Sequence, residues 1–248
     1  MANDNEKNDA NIFNKASNIG NNTNDSNGLE QRSNIERFNK QLSFIIEIDK
    51  LKQVLRRTIL MDSSRRENDA EHMWHMAVGA MLFAEYSNNS KELDILKVLK
   101  MAVLHDIVEV YAGDTFAYDE KGHLDKEERE KKSADKIFGL LPAEQGSEFR
   151  NLWEEFEAAM TIEAKYARAI DRFMPILHNY ITKGKQWHNF GVTSDKVLAK
   201  NKTIEEGSEF LWEYVKHMVE DGIKKGYFPE QQQSQNHNQS IRMVECEA

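Results

Sequence analysis

From residue 40 onward, apolar positions recur every three or four residues. Ile45, Ile48, Leu51, Leu55 and Ile59 form one such stripe and predict an amphipathic helix over 40–60. Asp62 to Glu67 reads as a loop, and Asn68 with Glu71 three residues later reads as a capping box opening the next helix. The same spacing predicts helices over 69–86, 91–111 (ended by Gly113), 125–141 (stopped by Pro142), 162–183, 193–201 and 203–225, with Gly226 marking the last end. Phe149, Leu152, Trp153, Phe156 and Met160 add a further stripe, and 114–124 reads as a loop. Three prolines in 248 residues, and no strand-like alternation of any length, make the expected fold an all-α helical bundle.

Composition sets the limits of that bundle. Residues 1–35 hold eleven Asn and few apolar side chains, and 230–240 read EQQQSQNHNQS. Such segments bury too little apolar surface to offset their ordering entropy, so 1–35 and 229–248 are expected to be disordered tails around one domain at 36–228. The richest apolar run, Met73 to Tyr86, contains His75 and Glu85, well short of the ~18 uninterrupted apolar residues of a membrane span. There is no secretory signal pattern at the N-terminus. The single cysteine, Cys246, excludes a disulfide scaffold and a thiolate zinc site. A net charge of −9 argues against nonspecific nucleic-acid binding, which needs clustered positive charge, while leaving room for a small nucleotide in one basic pocket. A cytoplasmic protein without a membrane partner is the expectation. The run Asp125 to Lys132 reads as a solvated helical face with i,i+4 ion pairs.

The chemistry lies where ionisable residues interrupt apolar stripes. Asp106 falls on the stripe Leu96, Leu99, Ala102, Val103 and Val110; Asp171 falls on the stripe Ala167, Ile170, Met174, Leu177 and Ile181. A buried carboxylate needs a partner, and two on different helices point to a shared cation. His105 precedes Asp106, and His72 shares a helical face with Met76, Gly79 and Phe83. Two imidazoles and two carboxylates in a bundle core suit a borderline divalent ion. Pairing of Asp171 with Arg168 or Arg172 is the plainer alternative, and His75 and His178 are competing ligands by helical spacing. Lys185 to Phe190 forms an aromatic loop that either lines a base pocket or anchors itself, and Arg65 and Arg66 are loop cations within reach of a phosphate. Met73, Met76 and Met81 read as core filling.

Asp69-Ala70-Glu71-His72, Leu104-His105-Asp106-Ile107-Val108-Glu109, Ala112-Gly113-Asp114-Thr115 and Ala169-Ile170-Asp171-Arg172 together resemble the HD-domain superfamily of metal-dependent phosphohydrolases. The similarity is greatest to the branch of bacterial 5′-deoxynucleotidases and the eukaryotic HD-domain-containing protein 2. The resemblance implies an HD-domain helical bundle with a buried metal site. It makes His72, His105, Asp106 and Asp171 the ligands of one divalent ion (Mn, Co, Fe, Ni, Zn or Mg) and gives Glu109 and Asp114 catalytic roles. Arg57 matches the arginine that binds the substrate phosphate, with Arg56 beside it leaving the register open; Thr58 stands where the deoxynucleotidases have a tryptophan near the sugar. Chemically, Glu109 lies one helical turn beyond His105, within reach of an activated water. The implied activity is release of phosphate from (deoxy)nucleoside 5′-monophosphates by attack of a metal-bound water. The alternatives are an HD-type phosphodiesterase or pyrophosphohydrolase, and a non-catalytic nucleotide-sensing metal protein. A homodimer is also implied.

Overall fold

The structure, a computed structural model, describes residues 26–230, with side chains from Leu29 on. The expectations for 1–25 and 231–248, Cys246 included, fall outside the described residues. Helix α1 (Ser26–Ile48) begins ten residues ahead of the boundary expected from composition and leads through a 3-10 turn (Asp49–Gln53) into a two-stranded antiparallel hairpin, β1 (Leu55–Ile59) and β2 (Arg66–Asn68). Then follow α2 (Asp69–Leu82), α3 (Ile95–Ala102), the single turn α4 (Glu109–Ala112), α5 (Lys126–Phe138), α6 (Ala143–Ala158), α7 (Ile162–Ile181), the short α8 (Lys185–Asn189), α9 (Ser194–Asn201), α10 (Ile204–Gly207) and α11 (Glu209–Lys224). No helix among the described residues is long and apolar enough to cross a membrane.

The hairpin corrects the helix expected over 40–60. The stripe Ile45 to Ile59 is real as spacing, but the chain leaves the helix after Ile48, and Leu55 pairs with Asn68 and Ile59 with Arg66 across an irregular register. Ser63, at φ +63°, turns the chain between the strands. The strand sends adjacent side chains to opposite faces, which decides the fate of Arg56 and Arg57. The helix expected over 91–111 is also interrupted: α3 ends at Ala102, and 103–108 forms tight turns before α4. There Leu104 N, Ile107 N and Glu109 N donate to carbonyls three residues back. The stripe itself is displaced, since Val98, Met101 and Ala102 are buried while Leu96 and Val103 face solvent. In 203–225 the helix breaks at Ser208, whose fully buried hydroxyl donates to Tyr86 O and accepts from Leu211 N.

Helix α7 is the hub, against which α2, α3, α6, α10, α11 and β1 pack. Its amphipathic face buries Ala167, Ile170, Phe173 and Met174, and Tyr166 donates to Ala80 O at 2.9 Å, tying the hub to α2. The expected capping box is present: Asn68 Oδ1 accepts from Glu71 N, and Glu71 accepts from Asn68 N. It fixes the first turn of α2, where Asp69 and His72 reside. The charged run on α5 is in part the solvated face expected, with Lys131–Glu127 and Lys132–Glu128 exposed. Arg129 departs from it, donating to Ala112 O, Thr115 Oγ1 and Gly122 O and so pinning the loop that carries Asp114.

One backbone approach requires glycine. Gly184 has φ +71°, and a Cβ there would lie 1.7 Å from Tyr227 O. Gly184→Ala is expected to destabilise the fold by about 3 kcal/mol or more, through both the left-handed backbone and the collision. The urea midpoint measures this, and an unchanged midpoint contradicts it.

Candidate metal and phosphate site

Three segments of the chain converge on one point. His72 comes from the first turn of α2, His105 and Asp106 from the turns between α3 and α4, and Asp171 from the middle of α7. His72 Nε2 lies 2.9 Å from Asp171 Oδ1 and 4.0 Å from Asp106 Oδ2. His105 Nε2 lies 3.2 Å from Asp106 Oδ2 and 3.7 Å from Asp171 Oδ1. His105 Nδ1 faces Ala102 O at 3.0 Å and donates there, leaving Nε2 to face the carboxylates. That nitrogen is buried, aimed at two carboxylates, and makes no hydrogen bond. A buried imidazole nitrogen without a hydrogen bond, among a second imidazole and two carboxylates, belongs to a donor set that fits a divalent cation once the ion displaces its proton. The plainer pairing of Asp171 does not occur: Arg168 and Arg172 donate to the main-chain carbonyls of Glu157 and Lys200.

Glu109 opens α4, and Asp114 follows Gly113, whose φ of +75° turns the chain back toward the site. Both come together with Asp69, a residue the sequence reading had not singled out as chemistry, their ligand atoms within 4.8 Å of one another. Glu109 Oε2 and Asp69 Oδ2 are buried without hydrogen-bond partners. The positive charge in ion-pair contact with these acids is Arg56, while Arg57 and Arg66 act on Asp114 from farther away. Arg56 is 2.7 Å from Asp106, 3.4 Å from Asp69 and 3.9 Å from Asp114, with its Nε 3.8 Å from Glu67. Arg57, on the other face of β1, lies over the Phe190 ring at 5.5 Å.

A cavity of about 360 Å³ opens onto this cluster, a size that suits a small ligand. Arg57, Thr58, Phe116 and Tyr118 line it, and Arg168, Arg172 and Lys200 add positive charge. Phe116 meets Phe190 at 4.8 Å and Tyr118 at 5.3 Å, giving the cavity an aromatic side. In the aromatic loop, Trp187 stacks on Phe228 at 4.3 Å and also lines the cavity, so this residue both anchors the end of the domain and forms part of the cavity wall. His75 and His178 face each other away from the four-residue cluster, and Arg65 is engaged with Glu71.

Burial and charge set the protonation of the ion-free site. Burial pushes Glu67 up to about 7 and, with the charge of Asp106, raises Asp69 and Glu109. Burial opposes charge on Asp106, but His105 and Arg56 outweigh it and hold this carboxyl below the usual range. Burial likewise disfavours a charged His105, yet Asp106 lifts it to about 9; His72, buried and facing Arg56, falls to about 4. A raised folded-state pKa stabilises the fold below the unfolded value, and that stability is lost as pH climbs through the folded one. Glu67 therefore weakens the ion-free fold between pH 4.5 and about 7, and His105 weakens it between pH 6.5 and about 9. The depressed His72 acts in the opposite sense only below 6.5. Urea midpoints in chelator are expected to fall from pH 6.5 to 9, and added Mn²⁺ to flatten the decline; a flat or rising profile in chelator contradicts this.

Comparison with known proteins decides the family. A family model described as "HD domain" matches residues 48–212. The chain belongs to the HD domain family. It is 33% identical over 117 residues to the "5′-deoxynucleotidase HDDC2" of Dictyostelium discoideum, covering 46% of this chain and 62% of that protein. It is 31% identical over 137 residues to the human protein of the same name, covering 55% and 65%. The matches thus span just under two thirds of the length of these relatives. Among solved structures, the "predicted metal-dependent phosphohydrolase" of Magnetospirillum magnetotacticum MS-1 superposes with a TM-score of 0.74 at 49% identity, covering 78% of this chain and 96% of that one. An HD domain with such a neighbour, and with these buried donors, implies a divalent metal.

Proposed function

We propose that this HD domain is a metal-dependent 5′-nucleotidase that releases phosphate from nucleoside 5′-monophosphates, deoxy ones among them. The observation that carries the reading is the convergence of His72, His105, Asp106 and Asp171 beside a cavity with one cationic and one aromatic side. The names of the Dictyostelium and human relatives support the same substrate class.

In this reading His72, His105, Asp106 and Asp171 hold one divalent ion, Mn, Co, Fe, Ni, Zn or Mg, whose Lewis acidity polarises a phosphoryl oxygen and makes water more acidic. Arg57 at the cavity wall is placed for a charge-assisted hydrogen bond to the phosphate. Arg56 stays with the acids and balances their charge. Phe116 and Tyr118 offer faces for the base, and Thr58 stands at the cavity wall where the deoxynucleotidases have a tryptophan near the sugar. Glu109, raised in pKa by burial, takes the proton of the attacking water or returns one to the departing 5′-oxygen, and Asp114 orients that water. The acidic composition supports a nucleotide rather than a nucleic acid as partner, in the cytoplasm. Trp74, Met81 and Leu82, exposed on α2, support a homodimer.

A second reading is favoured by one observation. Arg168, Arg172 and Lys200 bring more positive charge to the cavity than one monophosphate needs, which suits a pyrophosphate. Metal-stripped protein restored with Mn, Co, Mg or Zn, and given monophosphates, diphosphates and diesters in parallel, separates the two. Release of inorganic phosphate from monophosphates, lowered about 10²- to 10⁴-fold by Glu109→Gln with the ion still bound, supports the nucleotidase. Turnover only of the diphosphates supports the second reading, turnover only of the diesters a phosphodiesterase, and inertness toward all of them leaves a sensor.

A further inference from the structure

On the far side of His72 lies a cluster for which the proposed reaction has no use. Glu67 on β2, His75 on α2 and His178 on α7 present ligand atoms within 4.8 Å of one another. His178 Nδ1 lies 2.9 Å from Ile59 O of β1, a partner that can only accept, so Nδ1 carries the proton and Nε2 the lone pair. This lone pair points at His75 Nδ1, 3.3 Å away, and stands 3.8 Å from Glu67 Oε1. A carbonyl that fixes the ring tautomer and leaves the other nitrogen free is the usual outer support of a metal-bound histidine.

The spacing fits an ion as well as a hydrogen bond. With Zn–N and Zn–O bonds of about 2.0–2.1 Å, the edge of a tetrahedral site is about 3.4 Å. The two imidazole nitrogens are already at that edge, and Glu67 needs to close by about half an ångström on His178 and further on His75, from which it stands within 4.8 Å. Glu67 also lacks a close partner. It is 2% exposed, and the nitrogens of Arg56, His72 and His178 all stand 3.8 Å from its oxygens, beyond hydrogen-bond range. A buried carboxylate is costly in that state. His75 is half-buried, which leaves a way in for an ion and a fourth position for water.

We propose that Glu67, His75 and His178 form a second divalent-cation site, of the His₂-carboxylate type suited to zinc, separate from His72, His105, Asp106 and Asp171. An ion there joins β2, α2 and α7, and through the Ile59 carbonyl also β1, so it clamps the hairpin that carries Arg56 and Arg57. It is a clip for the scaffold. Glu67 connects it to the inner site, since the other oxygen of the same carboxylate faces His72 Nδ1.

The test is a zinc count on the full chain, stripped with chelator, reloaded with excess Zn²⁺ and desalted. His75→Ala, at a half-buried position, is expected to hold one zinc fewer per chain than wild type; His178→Gln should do the same wherever circular dichroism shows it folded. In an Asp171→Ala background, zinc is expected still to raise the melting temperature, and added His75→Ala to abolish that rise. If His75→Ala retains the wild-type zinc content, the two histidines share only a hydrogen bond and the proposal is overturned. Neither readout involves turnover. A chain inert toward every nucleotide but showing the His75-dependent zinc keeps this site and loses the nucleotidase reading, and the converse result does the reverse.

Discussion

Asp106→Asn is expected to abolish tight divalent-ion binding and to lower phosphate release by on the order of 10³-fold, several kcal/mol of lost charge stabilisation. Asp106 is the member of the cluster that touches most of the others. Its Oδ2 faces Arg56 at 2.7 Å, His105 Nε2 at 3.2 Å and His72 Nε2 at 4.0 Å. The amide keeps the shape and removes the charge, so the proposed ion loses an anionic ligand while His105 loses the group that raises its pKa. The variant should therefore show a lower His105 pKa by NMR together with the loss of metal. Wild-type metal content in Asp106→Asn would falsify the assignment of this residue as a ligand. The effect is separable from Glu109→Gln, which is expected to lose turnover and retain the ion.

Of the set His72, His105-Asp106 and Asp171, Asp171 was legible from its stripe for a physical reason, and the others from the motifs they share with the family. A charged group on an apolar stripe is costly unless it is paired, so it stands out even without coordinates. The hub α7, with its regular stripe, and the capping box before α2 were legible in the same way. The hairpin was not. Leu55 and Ile59 satisfy a helical spacing, and only their pairing with Asn68 and Arg66 selects the strand. Nor was the break at 103–108, because Leu104 to Glu109 are buried at every position and such a segment has no periodicity to read. Asp69 and Glu67 were hidden by position: acids at the start of a helix are ordinary partners of its dipole, and nothing in the sequence marks these two as facing a site. The choice between Arg56 and Arg57 depends on the hairpin, which is why the sequence alone left it open.

That choice has a measurable consequence. Arg56→Ala and Arg57→Ala, adjacent changes of the same kind, are expected to give opposite phenotypes. Arg56 is buried against Asp106, Asp69, Asp114 and Glu67, and removing it leaves like charges without a counter-charge. Breaking a buried ion network by deleting one partner costs about 3–5 kcal/mol. The loss is expected in the ion-free protein and should be partly recovered by Mn²⁺, which neutralises the same carboxylates. It should also be smaller at pH 5.5 than at pH 8, since acids deprived of Arg56 take up protons at low pH and cease to repel one another. Arg57 has no such partners; it lies over Phe190 at the cavity wall. Arg57→Ala should leave the urea midpoint within about 0.5 kcal/mol of wild type and raise KM for a nucleoside monophosphate about tenfold, the loss of one charge-assisted contact. Urea titrations with and without Mn²⁺ at the two pH values, with KM measured alongside, decide the matter. A destabilised Arg57→Ala beside an unaffected Arg56→Ala would reverse the assignment and return the phosphate contact to Arg56.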